Sequence, residues 1–326
     1  MKYKEGILKD IIKVLVEKEK FLLLTHKDPD LDGIGSMIAL GRALSNAGKT
    51  VTLFTETSLE PPLSNIKGSE SIVYELDPKV RYDATIILDC SDLQRLGIAK
   101  NIATVNRPLI NIDHHETNDF FGDFNFVVTD SSSTGELVFR LIKQSTFSID
   151  FVIAEDLFAA IQADTGCFKY ENTTKDSFII AAELLEYGIS PWDIYRNTTE
   201  QYTLPMLKLL EMSLSTIETY YDGKLSIMSI TYEMVKKAGA YPGDSERFIT
   251  YPRFLVGVEI ATLIRQIGDK EYYKFSLRSN GRVNVAKLAS NFGGGGHARA
   301  AGFECKGDLY TVKKRFMEQV LNFLKK

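Results

Sequence analysis

Residues 21–36 read FLLLTHKDPDLDGIGS. Four apolar residues form a short buried-strand pattern, and a polar turn carrying His26, Asp28, Asp30 and Asp32 follows. The chain then enters IGSMIALGRALSNAG at 34–48, whose apolar spacing predicts a helix stopped by Gly48. A strand that empties into an acidic loop and then a helix is the repeating unit of a parallel α/β sheet. Such sheets place their ligands at the carboxyl ends of the strands. Carboxylates this close repel one another unless a cation neutralises them. Imidazole with carboxylate suits first-row divalent metals such as manganese, iron, cobalt or zinc. Asp, Pro and Gly are also turn formers, so a solvated turn is the competing reading of this stretch alone.

The same alternation extends on both sides. Residues 7–16 have helical spacing; 51–54 (VTLF), 84–89 (ATIILD) and 108–113 (PLINID) read as buried strands; 133–144, 151–164 and 176–188 read as helices. Apolar strands alternating with helices predict a parallel sheet covered on both faces. After Gly188 the pattern changes. A helical connection interrupted by Pro191 and Pro205 leads to 224–231, 256–266 and 272–279, which alternate apolar and polar residues as half-buried strands do. A glycine run at 293–296 and an amphipathic helix over about 308–325 complete the chain. The expected organisation is an α/β domain over 1–190, a helical connector over 191–222 and a smaller α/β domain over 223–326.

Composition bounds the function. The 326 residues are 44% hydrophobic, 25% charged and 11% aromatic, which is globular and excludes disordered, collagen-like and disulfide-scaffold chains. A net charge of −4 disfavours a protein that grips long duplex by neutralising many phosphates. A small phosphorylated substrate stays compatible with it. Cys90, Cys167 and Cys305 form no CxxC pair, so a thiolate zinc site is not expected and three reduced thiols are. The charged N-terminus has no signal-peptide core, and no apolar run of about 18 residues exists to span a membrane. The expected location is the cytoplasm.

Three further segments carry chemistry. Asp89 closes the strand in ILDCSD, where an aspartate is as often a helix cap. Asp113, His114 and His115 follow the next strand in NIDHHETN. Adjacent histidines in a strand cannot both be core residues, because successive side chains face opposite ways. One can bind metal while the other faces substrate; two exposed loop histidines are the alternative. Asp164 ends an apolar helix in ADTGCF, a weak signal by itself. A fifth segment, FGGGGHARAAGF at 292–303, offers Gly294, Gly295 and Gly296, where backbone amides can approach an anion, then His297 and Arg299 at a point where a helix could begin. Arg265 and Arg278 lie on predicted strands that could face the same place, with Ser279 beside them.

Together, THKDPDLDGIGS, LDCSD, DHH and the Asp164 segment resemble the four motifs of the DHH phosphoesterase superfamily, and the GGGGH segment resembles the signature of the DHHA1 domain that accompanies it. The resemblance covers nearly the whole chain and implies a two-ion centre, usually manganese. It implies that His26, Asp30 and Asp89 hold one ion and that Asp32, Asp89, His114 and Asp164 hold the other. His115 is then the residue facing the substrate phosphate, and Asp113 stands behind it. Ser131–Thr134 and Arg95 resemble family positions near the cleft, although Thr134 and Glu136 are equally explained as helix-capping residues. Two cations about 3.5–4 Å apart can lower the pKa of a shared water, so no Ser or Cys nucleophile is needed. In the DHHA1 half, the resemblance implies nucleotide binding by the three glycines, His297, Arg265, Arg278, Ser279 and Arg299.

The compact two-domain arrangement is similar to that of bacterial nanoRNases. It implies hydrolysis of short oligoribonucleotides, including pApA, to mononucleotides, and of 3′-phosphoadenosine 5′-phosphate to AMP, in a cleft between the domains. A soluble phosphodiesterase for cyclic di-AMP or pApA shares the chemistry and is the nearest alternative. A RecJ-like exonuclease, a family II pyrophosphatase and a non-catalytic nucleotide sensor are further alternatives, each less well matched. Expected partners are short RNAs or small nucleotides, with no long duplex and no membrane; a homodimer is left open.

Overall fold

The structure, a computed structural model, describes residues 5–296 and 298–325. The chain divides into two compact units, Met1–Gln201 and Tyr202–Lys326.

The first unit contains α1 (Glu5–Glu17), β1 (Lys20–Leu24), α2 (Leu31–Asn46), β2 (Thr50–Phe54), β3 (Ile72–Val73), β4 (Ala84–Leu88), α3 (Lys100–Val105), β5 (Leu109–Asp113), β6 (Phe124–Val127), α4 (Thr134–Gln144), α5 (Phe151–Asp164), α6 (Lys175–Leu185) and α7 (Pro191–Thr198). Its six strands are all parallel, in the order β3-β2-β1-β4-β5-β6. Strand side chains alternate between two apolar layers. Phe21, Leu23, Ile86, Ile110 and Ile112 pack with α1, α2, α4 and α5 on one face; Leu22, Leu24, Ile87 and Leu109 pack with Leu96 and Ala103 on the other. Both faces are buried, which is why these strands read as unbroken apolar runs. The chain winds outward from β1 through β2 to β3, then returns to place β4 on the other side of β1. This reversal opens a crevice beyond the carboxyl ends of β1 and β4, with β5 alongside.

The second unit contains α8 (Leu204–Leu214), β7 (Glu218–Tyr220), β8 (Leu225–Ile230), α9 (Tyr232–Ala238), α10 (Thr250–Arg253), β9 (Ile260–Gln266), β10 (Tyr272–Ser279), α11 (Val285–Ser290), β11 (Gly295–Gly296), β12 (Ala300–Lys306) and α12 (Leu309–Leu324). The sheet order is β11-β12-β10-β9-β8-β7, antiparallel except for the β8–β9 pair. One face packs on α11 and α12 through the stacked rings of Phe275, Phe303 and Phe292, with Phe316 tilted against them. The opposite face of β8 and β9 packs on α8 and α9.

The stretch 191–222 is shared between the two units. Ile194 of α7 joins the core of the first, whereas Met206, Leu209 and Leu210 of α8 join the second. Pro191 and Pro205 stand in the first turns of α7 and α8, where proline's missing N–H costs nothing. Where a helix was expected after the glycine run, the chain forms β12. Its alternate residues Ala301 and Phe303 enter the aromatic core beside Leu277 and Phe275, and tertiary burial decides the conformation.

Candidate metal centre

His26 stands two residues beyond β1, Asp89 one residue beyond β4, and Asp113 closes β5 with His114 and His115 immediately after. Asp30 is the N-cap of α2, its Oδ1 accepting from the Gly33 amide at 3.0 Å. Asp32 lies in the first turn of the same helix and is buried. Its two oxygens accept from the first amides of α4, Thr134 N at 2.7 Å and Gly135 N at 2.9 Å, so a helix N-terminus fixes this carboxylate. Asp89 has φ = 55°, in the left-handed region. An aspartate tolerates that conformation better than most residues, and it turns the carboxylate inward from the strand end. Gly33 lies against this turn: a Cβ there would overlap Thr25 Oγ1 and come to 3.4 Å from Asp89 Oδ2.

Asp89 divides its oxygens between two groups. Oδ2 is 3.6 Å from His26 Nε2, while Oδ1 is 3.6 Å from His114 Nε2 and accepts from Thr134 Oγ1 at 3.1 Å. His114 Nε2 also faces Asp164 Oδ2 at 3.7 Å and Asp32 Oδ2 at 3.8 Å, and its Nδ1 meets the Ser131 carbonyl at 3.3 Å. The His115 ring is T-shaped to that of His114, and its Nδ1 lies 2.6 Å from Asp113 Oδ1. Arg95 donates to His26 Nδ1 at 3.3 Å. Both histidines of the DHH motif are largely enclosed, with side chains 11% and 8% exposed. They escape the alternation rule because they lie past the strand end.

The donor set fits divalent cations. His26, Asp30 and Asp89 offer ligand atoms within 4.8 Å of one another, as do Asp32, His114 and Asp164, and as do Asp89, His114 and His115. Separations of 3.6–3.8 Å are too long for hydrogen bonds. They match the span across a cation held by two ligands at about 2.0–2.2 Å each. The electrostatics agree. Burial, then repulsion from Asp89 and Asp164, pushes the Asp32 carboxyl well above its ordinary range. Desolvation likewise pushes Asp164 up to about 7, against the pull of His114. Burial alone would lower the His114 pKa, but Asp164, Asp32 and Asp89 outweigh it and raise it to about 9. Three imidazoles hold Asp89 below the usual carboxylate range despite its burial. Buried carboxylates that cannot all ionise by themselves are a site built for added positive charge.

In the second unit, register partners share a face of the sheet. Lys274 pairs with Arg265 and Glu304, Ser276 with Gly302, and Arg278 with Ala300, while Gly295 pairs with Gly302. Arg278 and the Gly295–Gly302 pair therefore lie on one face, opposite the Phe275–Phe303 core. Arg265 is on that face too, but its guanidinium is engaged by Glu246 at 2.7 Å and by the Pro242 carbonyl. Ser279 points to the other face, and its amide donates to the Arg299 carbonyl at 2.9 Å. Arg299 is exposed, and Gly294 packs against the backbone of Gly302 and Phe303. His297 lies outside the described residues.

Three residues near the centre had no role in the sequence reading. Asn118 donates to Asp113 Oδ2 at 2.5 Å and to Asn111 Oδ1 at 2.8 Å; Asn172 donates to Asp164 Oδ2 at 3.1 Å; Arg140 donates to Glu136 Oε1 at 2.9 Å. The only sequence signal was the spacing of Asn118, three residues after the paired histidines. Thr134 and Glu136, ambiguous in sequence, do more than cap. Ser133 caps α4, while Thr134 bonds Asp89 and Asp32, and the fully buried Glu136 accepts from the Ser132 amide and hydroxyl.

Both halves of the chain match known proteins. Residues 20–161 match the model of the DHH family N-terminal domain, and 228–326 match the DHHA1 domain. The chain is 32% identical over 302 residues to the bifunctional oligoribonuclease and PAP phosphatase NrnA of Thermus thermophilus, covering 91% of this chain and 88% of that protein. It is 25% identical to the protein of the same name from Bacillus subtilis, covering 90% and 91%. Among solved structures, an exopolyphosphatase-related protein from Bacteroides fragilis matches with a TM-score of 0.93 at 29% identity, covering 98% of this chain and 96% of that one. The chain belongs to the DHH family and carries a DHHA1 domain in its second half.

Proposed function

We propose that this DHH-family chain hydrolyses phosphoester bonds in short oligoribonucleotides, pApA among them, to mononucleotides, and removes the 3′-phosphate of 3′-phosphoadenosine 5′-phosphate to leave AMP. The observation that carries the reading is Asp89, whose two oxygens face His26 on one side and His114 on the other. A single carboxylate between two donor groups is the arrangement a pair of ions needs. The names of the Thermus and Bacillus relatives carry both activities and support the substrate class.

In this account His26, Asp30 and Asp89 hold one ion, and Asp32, Asp89, His114 and Asp164 hold the other, with manganese as the native metal. Such ions supply charge neutralisation at the phosphoryl oxygens and lower the pKa of the attacking water. The protein's own groups do the rest. Thr134 and the α4 amides keep Asp32 and Asp89 in place. Asp113 holds His115 through Nδ1, leaving Nε2–H to donate to a phosphoryl oxygen. That bond and the nearby Asp89 charge raise the His115 pKa against burial, which favours the imidazolium form. Arg95 adds a cation beside His26. In the second unit, the glycines, Arg278 and Arg299 receive the nucleotide end of the substrate; Arg265, Ser279 and His297 are assigned the same role on resemblance alone.

No helix among the described residues is long and apolar enough to cross a membrane, and Cys90, Cys167 and Cys305 are free thiols. A reducing, cytoplasmic site of action goes with this reading. A manganese-supplemented panel of RNA dimers to 24-mers, cyclic di-AMP, 3′-phosphoadenosine 5′-phosphate and pyrophosphate tests it. Highest kcat/KM on dimers to pentamers is expected. Preference for cyclic di-AMP, 24-mers or pyrophosphate would each replace it with the corresponding alternative.

A further inference from the structure

Asn172 lies in the loop between α5 and α6, eight residues beyond Asp164. Its side-chain amide reaches three acceptors: the Ser132 carbonyl at 2.9 Å, and the Asp164 carbonyl and Oδ2, each at 3.1 Å. The adjacent carbonyl, Ser131, meets His114 Nδ1. Two neighbouring peptide groups thus hold, the Ser131 carbonyl directly and the Ser132 carbonyl through Asn172, the outer sides of two groups that face each other across 3.7 Å, His114 Nε2 and Asp164 Oδ2. The segment is itself tied down. Glu136 accepts the Ser132 amide at 3.2 Å and hydroxyl at 2.9 Å, and Arg140 joins Glu136 to Asp176, each at 2.9 Å. On the Asn172 side the chain passes through three consecutive left-handed residues, Gly166, Cys167 and Phe168. Such conformations persist where the surroundings over-determine them. Here the Phe168 ring lies between Phe158 and Phe178, and Thr165 Oγ1 accepts the Phe168 amide.

We propose that Asn172 is a positioning residue for the Asp32–His114–Asp164 half of the centre, clamping Asp164 to the Ser131–Ser132 segment that also orients His114. The proposal rests on the two-ion reading above. A hydrogen bond to Oδ2 of Asp164 fixes the carboxylate's rotation and leaves one lone-pair direction toward His114. The carbonyl on His114 Nδ1 holds the proton there, so that Nε2 presents its lone pair. Outer partners of this kind are worth about 10–100-fold in metal affinity or activity.

The test is manganese titration calorimetry of the full chain, with Asn172→Ala beside the unchanged protein and unfolding midpoints measured in chelator. The expected result is two ions bound by both, with one affinity lowered about 10–100-fold in the variant and the other unchanged. The variant's hydrolysis should recover toward the parent rate as manganese is raised, with KM for pApA unchanged at saturating metal. If Asn172→Ala does not fold, Asn172→Leu, close in volume and unable to donate, is titrated in its place. Two parental affinities in the folded variant would overturn the clamp and leave the two-ion reading standing. Failure of the unchanged protein to take up a second ion would overturn both.

Discussion

His115 Nδ1 lies 2.6 Å from Asp113 Oδ1, and Asn118 holds the other oxygen of that carboxylate at 2.5 Å. The pair is buried, and each raises the other's tendency to stay charged: Asp113 is held below its usual range and His115 above it. Asp113→Asn keeps the shape but removes the charge. We expect kcat on pApA to fall about 10–100-fold. KM should change little, because the lost interaction stabilises an imidazolium needed at the reacting phosphate rather than in substrate capture. Steady-state kinetics at saturating manganese checks this; a change confined to KM would reassign His115 to binding.

His114 faces three carboxylates and is the only imidazole assigned to the second ion. His114→Ala should bind one manganese ion rather than two and lose hydrolysis to background. Elemental analysis of the purified variant with a pApA assay measures both. A variant retaining two ions and the parental rate would remove His114 from the ligand set.

Stability in chelator should fall as pH rises. His114 has its folded pKa raised to about 9 from 6.5, so its contribution is full below about 6.5 and is lost as pH passes 9. Asp164 has its folded pKa raised to about 7 from 3.8. Its folded state binds the extra proton between those values, so stability again falls as pH rises across them. Manganese reverses the trend, because ion uptake needs the deprotonated ligands. Thermal unfolding from pH 6 to pH 9 should show a midpoint that declines in chelator. The midpoint gain on adding metal should grow with pH, the stabilisation reaching about 2.7 kcal/mol per ion where that ion is at 100 times its Kd. A gain that shrinks with pH would contradict the ligand set.

Gly294 and Gly295 should behave differently. A Cβ at Gly294 would overlap the Gly302 carbonyl and Phe303, so Gly294→Ala should break the β11–β12 pairing and destabilise the second unit. A Cβ at Gly295 meets nothing within 4 Å. Gly295→Ala should leave the unfolding midpoint unchanged and raise KM for pApA by obstructing the open face. Equal KM values for Gly295→Ala and the parent would take the glycine run out of substrate binding.

Much of the first unit was legible because its strands are buried on both faces and its helices carry their own caps, such as Ser133 for α4 and Asp150 for α5. The short edge elements were not. β3 is two residues long, and β6 is the four-residue FNFV, too brief for a period to register. β12 begins in a run of glycine and alanine that has no strand signal, and Phe303 enters the core only once β10 is beside it. Among site residues, the ligand candidates stood out because charged side chains at the ends of apolar strands need a reason. Asn172 lies in the polar loop KYENTT, where an asparagine is unremarked until the fold brings it to Asp164. Arg265 shows the opposite failure: its strand was legible, but its pairing with Glu246 depends on a turn at 242–249 that no sequence pattern placed there.

The most direct test of the account is the hydrolysis of pApA by the purified chain with manganese, followed by chromatography of the products. The account predicts conversion to AMP, abolished by chelator and restored by manganese, with kcat/KM falling as the RNA lengthens beyond about five nucleotides. Tight binding of pApA with no AMP released in the presence of manganese would contradict it.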